Sequence, residues 1–374
     1  MNRERDAGRV VVHVVEDLGI GGLERIAVSL VRHLDPPRWR PHLVCTSGGG
    51  ALVADAERAG ALVEILQQRD YYPRSIRRLA RRFRALAPAV VHTHGHFAGV
   101  LGRAAAWWAR VPAIVHHLHT TDTTLRPRHA RLERWLERVT SRTVACSRVV
   151  ADHATLALGL DREGIVVVAN GIDPPPDVSR EAAREAIGNP AAPVIGCVGA
   201  LAPHKGQTVL VNAVARLSSS VPQGTVVLVG EGPDRDRINA LAGGLNGWQV
   251  RCLGARADAR RLYPAFDVAV VPSVDREGFG LAALEAMDAG CTVVASRTGG
   301  LPEIIQDGHT GLLVRPDDPG DLARTIGSVL SWPDRGRRLG VAARQSVESS
   351  FRATTMARRI LSIYEEALDA RCAA

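Results

Sequence analysis

The sequence predicts an α/β chain made of two Rossmann-like domains, each a doubly wound parallel sheet. Three observations carry that expectation. Short β-branched runs alternate with longer amphipathic segments along the whole chain, which is how strands joined by crossover helices read. The runs are continuously apolar, as in strands covered on both faces. The alternation breaks once, at the proline-rich stretch GIDPPPDVSR (171–180), and then restarts.

Before that break, strands are expected at VVVHVV (10–15), HLVCT (42–46), LVEIL (62–66), AVVHTH (89–94), AIVHH (113–117), TVAC (143–146) and GIVVVAN (164–170). After it they are expected at PVIGCVG (193–199), TVVLVG (225–230), QVRCLG (249–254), VAVVP (268–272), TVVAS (292–296) and GLLV (311–314). Helix-like segments separate them. The boundaries this implies are a first domain over 1–172, a second over 173–350 and a terminal helix over 351–374. A length of 374 residues with 46% apolar content suits two cores. Open α/β sheets bind ligands outside the carboxyl ends of their strands, so two such domains are expected to face a cleft.

Composition narrows the function. No apolar run approaches the length of a membrane span. MNRERDAGR leads into only six apolar-type residues, which reads as a first buried strand and not as a signal peptide. The six cysteines lack C-x-x-C spacing and read as reduced thiols of a cytoplasmic protein. Residues 1–175 hold 25 Arg against 17 acidic residues, whereas residues 176–374 are balanced. The excess is densest at Arg74, Arg77, Arg78, Arg81, Arg82 and Arg84. There Ile76, Leu79, Ala80, Phe83 and Leu86 share one helical face. Such a helix is either a solvated surface element or a peripheral contact with an anionic membrane, here the inner face. Nucleic acid is not an expected partner, because no recognition motif is present and aromatics are few.

The segment SVDREGFGLAALEAMDAG (273–290) carries the chemistry. A strand leads through Gly278 and Gly280 into a helix. A helix start preceded by glycines offers free N–H groups and the positive end of the dipole, a site for phosphate. Glu277 lies just before the turn and Glu285 about two turns into the helix. Carboxylates repel phosphate, so their natural partners are hydroxyls, as on a sugar or ribose. A phosphate flanked by polyols describes a nucleotide sugar. Lys205, the only lysine against 46 arginines, follows PVIGCVG and starts the next helix. There a compact ammonium can meet a diphosphate.

Other clusters read differently. Gly19, Gly21 and Gly22 make a turn after the first strand, and SGGGAL (47–52) is a connection. Asp234-Arg235-Asp236 and Asp317-Asp318 read as helix starts. His92, His94 and His96 alternate, and His116, His117 and His119 follow. Three imidazoles on one strand face is a metal pattern, but no carboxylate or cysteine cluster completes it. No metal or other cofactor is expected.

Nine motifs, GGLE (21–24), VVHTH (90–94), HLHT (117–120), NGID (170–173), HKG (204–206), VGEGP (229–233), the two-glutamate block, GGLPEII (299–305) and DGHTGLLV (307–314), occur in order. In this the chain resembles retaining GT-B glycosyltransferases, and glycosyltransferase family 4 in particular, over nearly its whole length. The resemblance implies a GT-B fold whose terminal helix packs back toward the first domain. It implies metal-independent transfer of a sugar from a nucleoside diphosphate donor, UDP favoured over GDP, to a hydroxyl acceptor on a glycan, lipid-linked sugar or small molecule. It gives donor binding to Gly21, Gly22, Lys205, Glu277, Gly278, Phe279, Gly280, Leu281 and Glu285, and catalysis to His119, Glu277 and Lys205. With no enzymatic nucleophile apparent, front-face chemistry is favoured, the leaving phosphate taking the acceptor's proton.

Related enzymes carry an arginine directly after the glycine that ends the strand before the lysine. Here that position is Ala200. Either His204 or a distant arginine substitutes, or the chain is a weak or non-catalytic partner of another transferase. A sugar-nucleotide epimerase on the same architecture is the rival enzyme class.

Overall fold

The computed structural model describes residues 8–36, 38–67, 73–121, 127–219, 221–245, 247–334 and 336–372. The chain divides into two compact units. The first comprises Met1–Asp173 with Ala353–Ala374, and the second Pro174–Arg352.

All thirteen expected strands form. In the first unit they are β1 (Arg9–Val15), β2 (Trp39–Cys45), β3 (Leu62–Ile65), β4 (Val90–His94), β5 (Ala113–Leu118), β6 (Arg142–Ala145) and β7 (Ile165–Val167). They make one parallel sheet in the order β3-β2-β1-β4-β5-β6-β7. In the second unit β8 (Val194–Val198), β9 (Thr225–Val229), β10 (Gln249–Cys252), β11 (Val268–Val271), β12 (Val293–Ser296) and β13 (Leu312–Val314) make a sheet in the order β10-β9-β8-β11-β12-β13. Both orders reverse direction after the first strand, so the crevice for a ligand opens between β1 and β4, and between β8 and β11.

The strands are buried because helices cover both faces. On the first sheet, Val12, Val14, Val44 and Val91 pack on Leu79, Phe83, Leu101 and Ala105. On its other side, Val15, Leu43 and Cys45 meet Ala27, Val28 and Val31 of the helix Gly22–Arg32. Covering Leu79 and Phe83 stabilises the fold by about 1.5–3 kcal/mol each. The helix Pro73–Leu86 turns its arginines outward, and Arg74, Arg77, Arg78, Arg81, Arg82 and Arg84 are all exposed.

The last helix, Ala353–Cys372, belongs to the first unit. Its Tyr364 is fully buried against Trp39. Glu365 pairs with Arg9 and Arg38 at 2.8 Å, and Arg371 donates to the carbonyls of Val111 and Pro112. Asp173 of NGID accepts from Arg32 and His33, tying the end of the unit's main segment to its first helix. No described helix is long and apolar enough to cross a membrane. Cys45, Cys146, Cys197, Cys252 and Cys291 are free thiols.

Candidate active site

The second unit assembles its candidate residues at the β8/β11 crevice. After β8 the chain passes Gly199 and a 3-10 turn, Pro203–Lys205, before the helix Gln207–Val214. After β11 it runs from Pro272 to Gly280 and enters the helix Leu281–Asp288. Lys205 Nζ donates to Glu277 Oε2 at 2.8 Å, and Ser273 Oγ donates to the same oxygen at 2.8 Å. Two motifs 72 residues apart in sequence thus meet side chain to side chain.

Glycines let these loops approach. A Cβ on Gly206 would stand 2.0 Å from the Pro272 carbonyl oxygen, and one on Gly299 would stand 1.9 Å from that of Glu277. The Gly300 amide donates to the Glu277 carbonyl at 2.9 Å. HKG and GGLPEII are therefore the two neighbours against which the Glu277 loop is laid backbone to backbone. VGEGP acts likewise, since a Cβ on Gly230 or Gly232 would meet the carbonyl of Gly199 or Leu201.

The helix Leu281–Asp288 starts after Gly280 in the left-handed region, φ 100°, with no side chain capping it. Its first amides lack a capping side chain at the place where the sequence leads one to expect an anion site. Gly278, Gly280 and Leu281 supply that backbone. Phe279 supplies backbone only, for its side chain is buried against Phe351. Glu285 is the fifth residue of the helix, one turn from its start and not two. It is buried beside Tyr263, whose hydroxyl lies 3.4 Å from Oε2, and Arg260, whose Nε lies 3.9 Å from Oε1.

Sequence reading missed Ser273, Tyr263 and Arg260, because only folding brings them to the two glutamates. It also missed Arg276. Burial, followed by the charges of Lys205 and Arg276, lowers the His204 imidazole from its ordinary value. His204 therefore sits within reach of two cations, Lys205 and Arg276, and Arg276 pairs with Asp275 at 3.1 Å. Ala200 is exposed, and its carbonyl accepts from Gln207 Nε2 at 2.9 Å. Asp234 precedes the helix Arg235–Ala242, and Asp318 caps Pro319–Ser331 by accepting from the Asp321 amide, so both are helix starts as expected.

Gly21, Gly22 and His119 lie in the first unit. Gly21 precedes the helix Gly22–Arg32, again with no side-chain cap, and the Glu24 carboxylate folds back over it. SGGGAL is a connection that also shapes this turn: Leu18 donates to Gly49, and a Cβ on Gly50 would stand 2.2 Å from the Leu18 carbonyl oxygen. His119 follows β5, and its Nε2 lies 3.1 Å from His94 Nδ1. His116 points to the opposite sheet face, where Thr93 Oγ1 lies 2.9 Å from its Nδ1. On that face Arg103 and Glu133, both 1% exposed, form an ion pair, and His96 Nδ1 lies 3.0 Å from Glu133 Oε1. Burial opposes ionisation of Glu133, but the Arg103 charge and the His96 hydrogen bond outweigh it and hold the carboxyl well below its usual range.

Comparison with known proteins agrees with this geometry. Residues 20–175 match the family described as Glycosyltransferase Family 4, and residues 192–331 that described as Glycosyl transferases group 1. Glycogen synthase of Mycobacterium tuberculosis is 33% identical over 305 residues, spanning 75% of this chain and 69% of that protein. D-inositol 3-phosphate glycosyltransferase of Corynebacterium efficiens is 36% identical over 228 residues, 57% of this chain and 53% of that one. Among solved structures, Anabaena HepE in complex with UDP and glucose matches with a TM-score of 0.84 at 23% identity, over 96% of this chain and 100% of that one. Two sheets of Rossmann order, motif loops at their crevices and identity at this level lead to one assignment: the chain belongs to the GT-B glycosyltransferases, family 4 over its first part and group 1 over its second.

Proposed function

We propose that the chain is a retaining transferase, with no metal ion required at the donor diphosphate, that moves a sugar from a nucleoside diphosphate donor to a hydroxyl acceptor. The observation that carries this reading is the Lys205–Glu277 contact of 2.8 Å beside an uncapped helix start. The Lys205 ammonium and the amides of Gly278 to Leu281 hold the diphosphate and stabilise charge on it as the sugar leaves, where preorganised donors act most strongly. Glu277, held by Ser273, accepts from sugar hydroxyls, and Glu285 accepts from the ribose. The family resemblance adds His119, Gly21 and Gly22 to the same reaction. The leaving phosphate takes the acceptor's proton, because no carboxylate or hydroxyl has been assigned as an enzymatic nucleophile. UDP is favoured over GDP, a choice supported by the UDP bound in the HepE structure.

The test is direct. UDP-glucose and GDP-mannose are each mixed with the protein, thermal shift reports binding, and NMR of the glycosylated product reports the anomeric configuration. Donor-dependent stabilisation with an unchanged anomeric configuration supports the reading. An inverted product, or epimerised donor without transfer, would overturn it.

The exposed arginines of Pro73–Leu86 support a cytoplasmic enzyme in peripheral contact with an anionic membrane. Arg77 lies over the Trp108 ring at 5.5 Å, and Trp107 and Trp108 are 52% and 41% exposed. Co-sedimentation with anionic vesicles should fall at high salt, since exposed charges are screened within about 10 Å at 0.1 M. Equal binding to neutral vesicles would refute it.

A further inference from the structure

The first sheet gathers histidines that the sequence scatters. His13 on β1 is in register with His92 on β4, and His94 on β4 is in register with His117 on β5. Parallel strands in register point such residues to one face, and the period of two adds His119. The rings of His92 and His94 are 4.3 Å apart, and those of His117 and His119 are 4.1 Å apart. His13, His92, His94 and His117 are at most 1% exposed.

These imidazoles are neutral. Burial pushes His13 and His119 down to about 3, and it is the first cause that puts His92, His94 and His117 well below 6.5. Some nitrogens have partners. His13 Nδ1 lies 3.1 Å from His94 Nε2, His94 Nδ1 lies 3.1 Å from His119 Nε2, and His92 Nδ1 lies 2.6 Å from the Tyr364 hydroxyl. Others are buried without one: His13 Nε2, His92 Nε2, both nitrogens of His117 and His119 Nδ1. An unsatisfied buried polar group costs about 1–3 kcal/mol, and native structures hold few of them. An occupant beside His92 Nε2 would satisfy one of these nitrogens.

We propose that His13, His92 and His94 bind a divalent transition-metal ion, zinc or a cation of similar preference. One nitrogen from each lies within 4.8 Å of the others. Tetrahedral zinc at about 2.0–2.1 Å from each nitrogen needs nitrogens roughly 3.3 Å apart. The His13–His94 separation of 3.1 Å already suits one edge, and His92 offers a nitrogen within 4.8 Å of both. An imidazole set without carboxylate or thiolate selects zinc, copper or nickel over magnesium or calcium. Two ligands also have the outer partners that such sites use to fix the tautomer. His92 Nδ1–H donates to Tyr364 Oη, leaving Nε2 as ligand, and His94 Nδ1–H donates to His119 Nε2. The metal rests on this geometry alone. Its consequence, that the ion orients His119, rests on the proposed role of His119 at the sugar.

The experiment uses the full chain without an affinity tag, stripped by a chelator and titrated with Co(II) or Zn(II). One ion per chain is expected, with the intense visible absorption of four-coordinate cobalt. His92→Phe and His13→Leu, which fill the vacated volume, should abolish both the stoichiometry and the band. Tyr364→Phe should keep the stoichiometry and weaken affinity about 10–100-fold. His309→Gln, an exposed control, should change neither. Absence of a stoichiometric ion in the wild type, or a cobalt spectrum unmoved by His92→Phe with the variant folded, would overturn the proposal. Buried water would then satisfy the imidazoles. Failure of donor binding in the same preparation would test the transferase reading separately.

Discussion

Lowering the pH should unfold the first unit through its buried imidazoles, above the ordinary carboxylate range. Six imidazoles there, His13, His92, His94, His116, His117 and His119, are pushed below their ordinary 6.5, burial being the first cause for each. Because the folded values are depressed, the unfolded chain takes up protons first. Stability is therefore complete above about pH 6.5 and falls as pH drops below it. Each such group costs about 1.4 kcal/mol per pH unit. Six groups one unit below 6.5 cost about 8 kcal/mol, against a total stability of about 5–15 kcal/mol for a domain. Glu133 adds to the loss only below 4.5, since its carboxyl is held ionised in the fold. Urea unfolding followed by circular dichroism at pH 7.5, 6.5 and 5.5, with chelator throughout, measures this. The midpoint should fall steeply between 6.5 and 5.5, and His116→Gln should reduce that fall by about one-sixth, one group among six. A midpoint flat from 7.5 to 5.5 would refute the reasoning, because it would mean the folded imidazoles already carry protons or water.

The donor site yields further tests. Lys205→Ala and Glu285→Ala should each weaken nucleoside diphosphate binding by about 1.5–3 kcal/mol, roughly 10–150-fold. In calorimetry the nucleoside alone should sense only Glu285→Ala, and equal loss in both variants would break the assignment. Ala200→Arg should tighten diphosphate binding without cost to folding, since Ala200 is exposed and offers its carbonyl, not its side chain, to Gln207; an unfolded variant or weaker binding would show another group in that space. Gly206→Ala should cost more than Gly290→Ala in urea unfolding. Both have φ near +70°, about 1–3 kcal/mol of strain for a side chain, but only Gly206 meets a carbonyl, at 2.0 Å, whereas Gly290 faces open space. Equal costs would mean that the Pro272 loop yields freely.

Local chemistry determined much of this molecule on its own. Buried parallel strands must be continuously apolar, so all thirteen were legible, from VVVHVV to GLLV. The glycine-opened helix at 278–281 was legible because only certain residues permit a left-handed start, and Lys205 because it stands alone among arginines. What sequence could not carry is contact across strands. Ser273 and Tyr263 carry no motif, and they matter only because folding places their hydroxyls at Glu277 and Glu285. The histidines show the same limit. H-x-H-x-H announced a strand face, but the nearest partners of His92 and His94 are His13, His117, His119 and Tyr364, from β1, from β5 and its end, and from the last helix. Strand order and register decide which residues share a face. They are set by the packing of whole sheets, and spacing along the chain does not encode them.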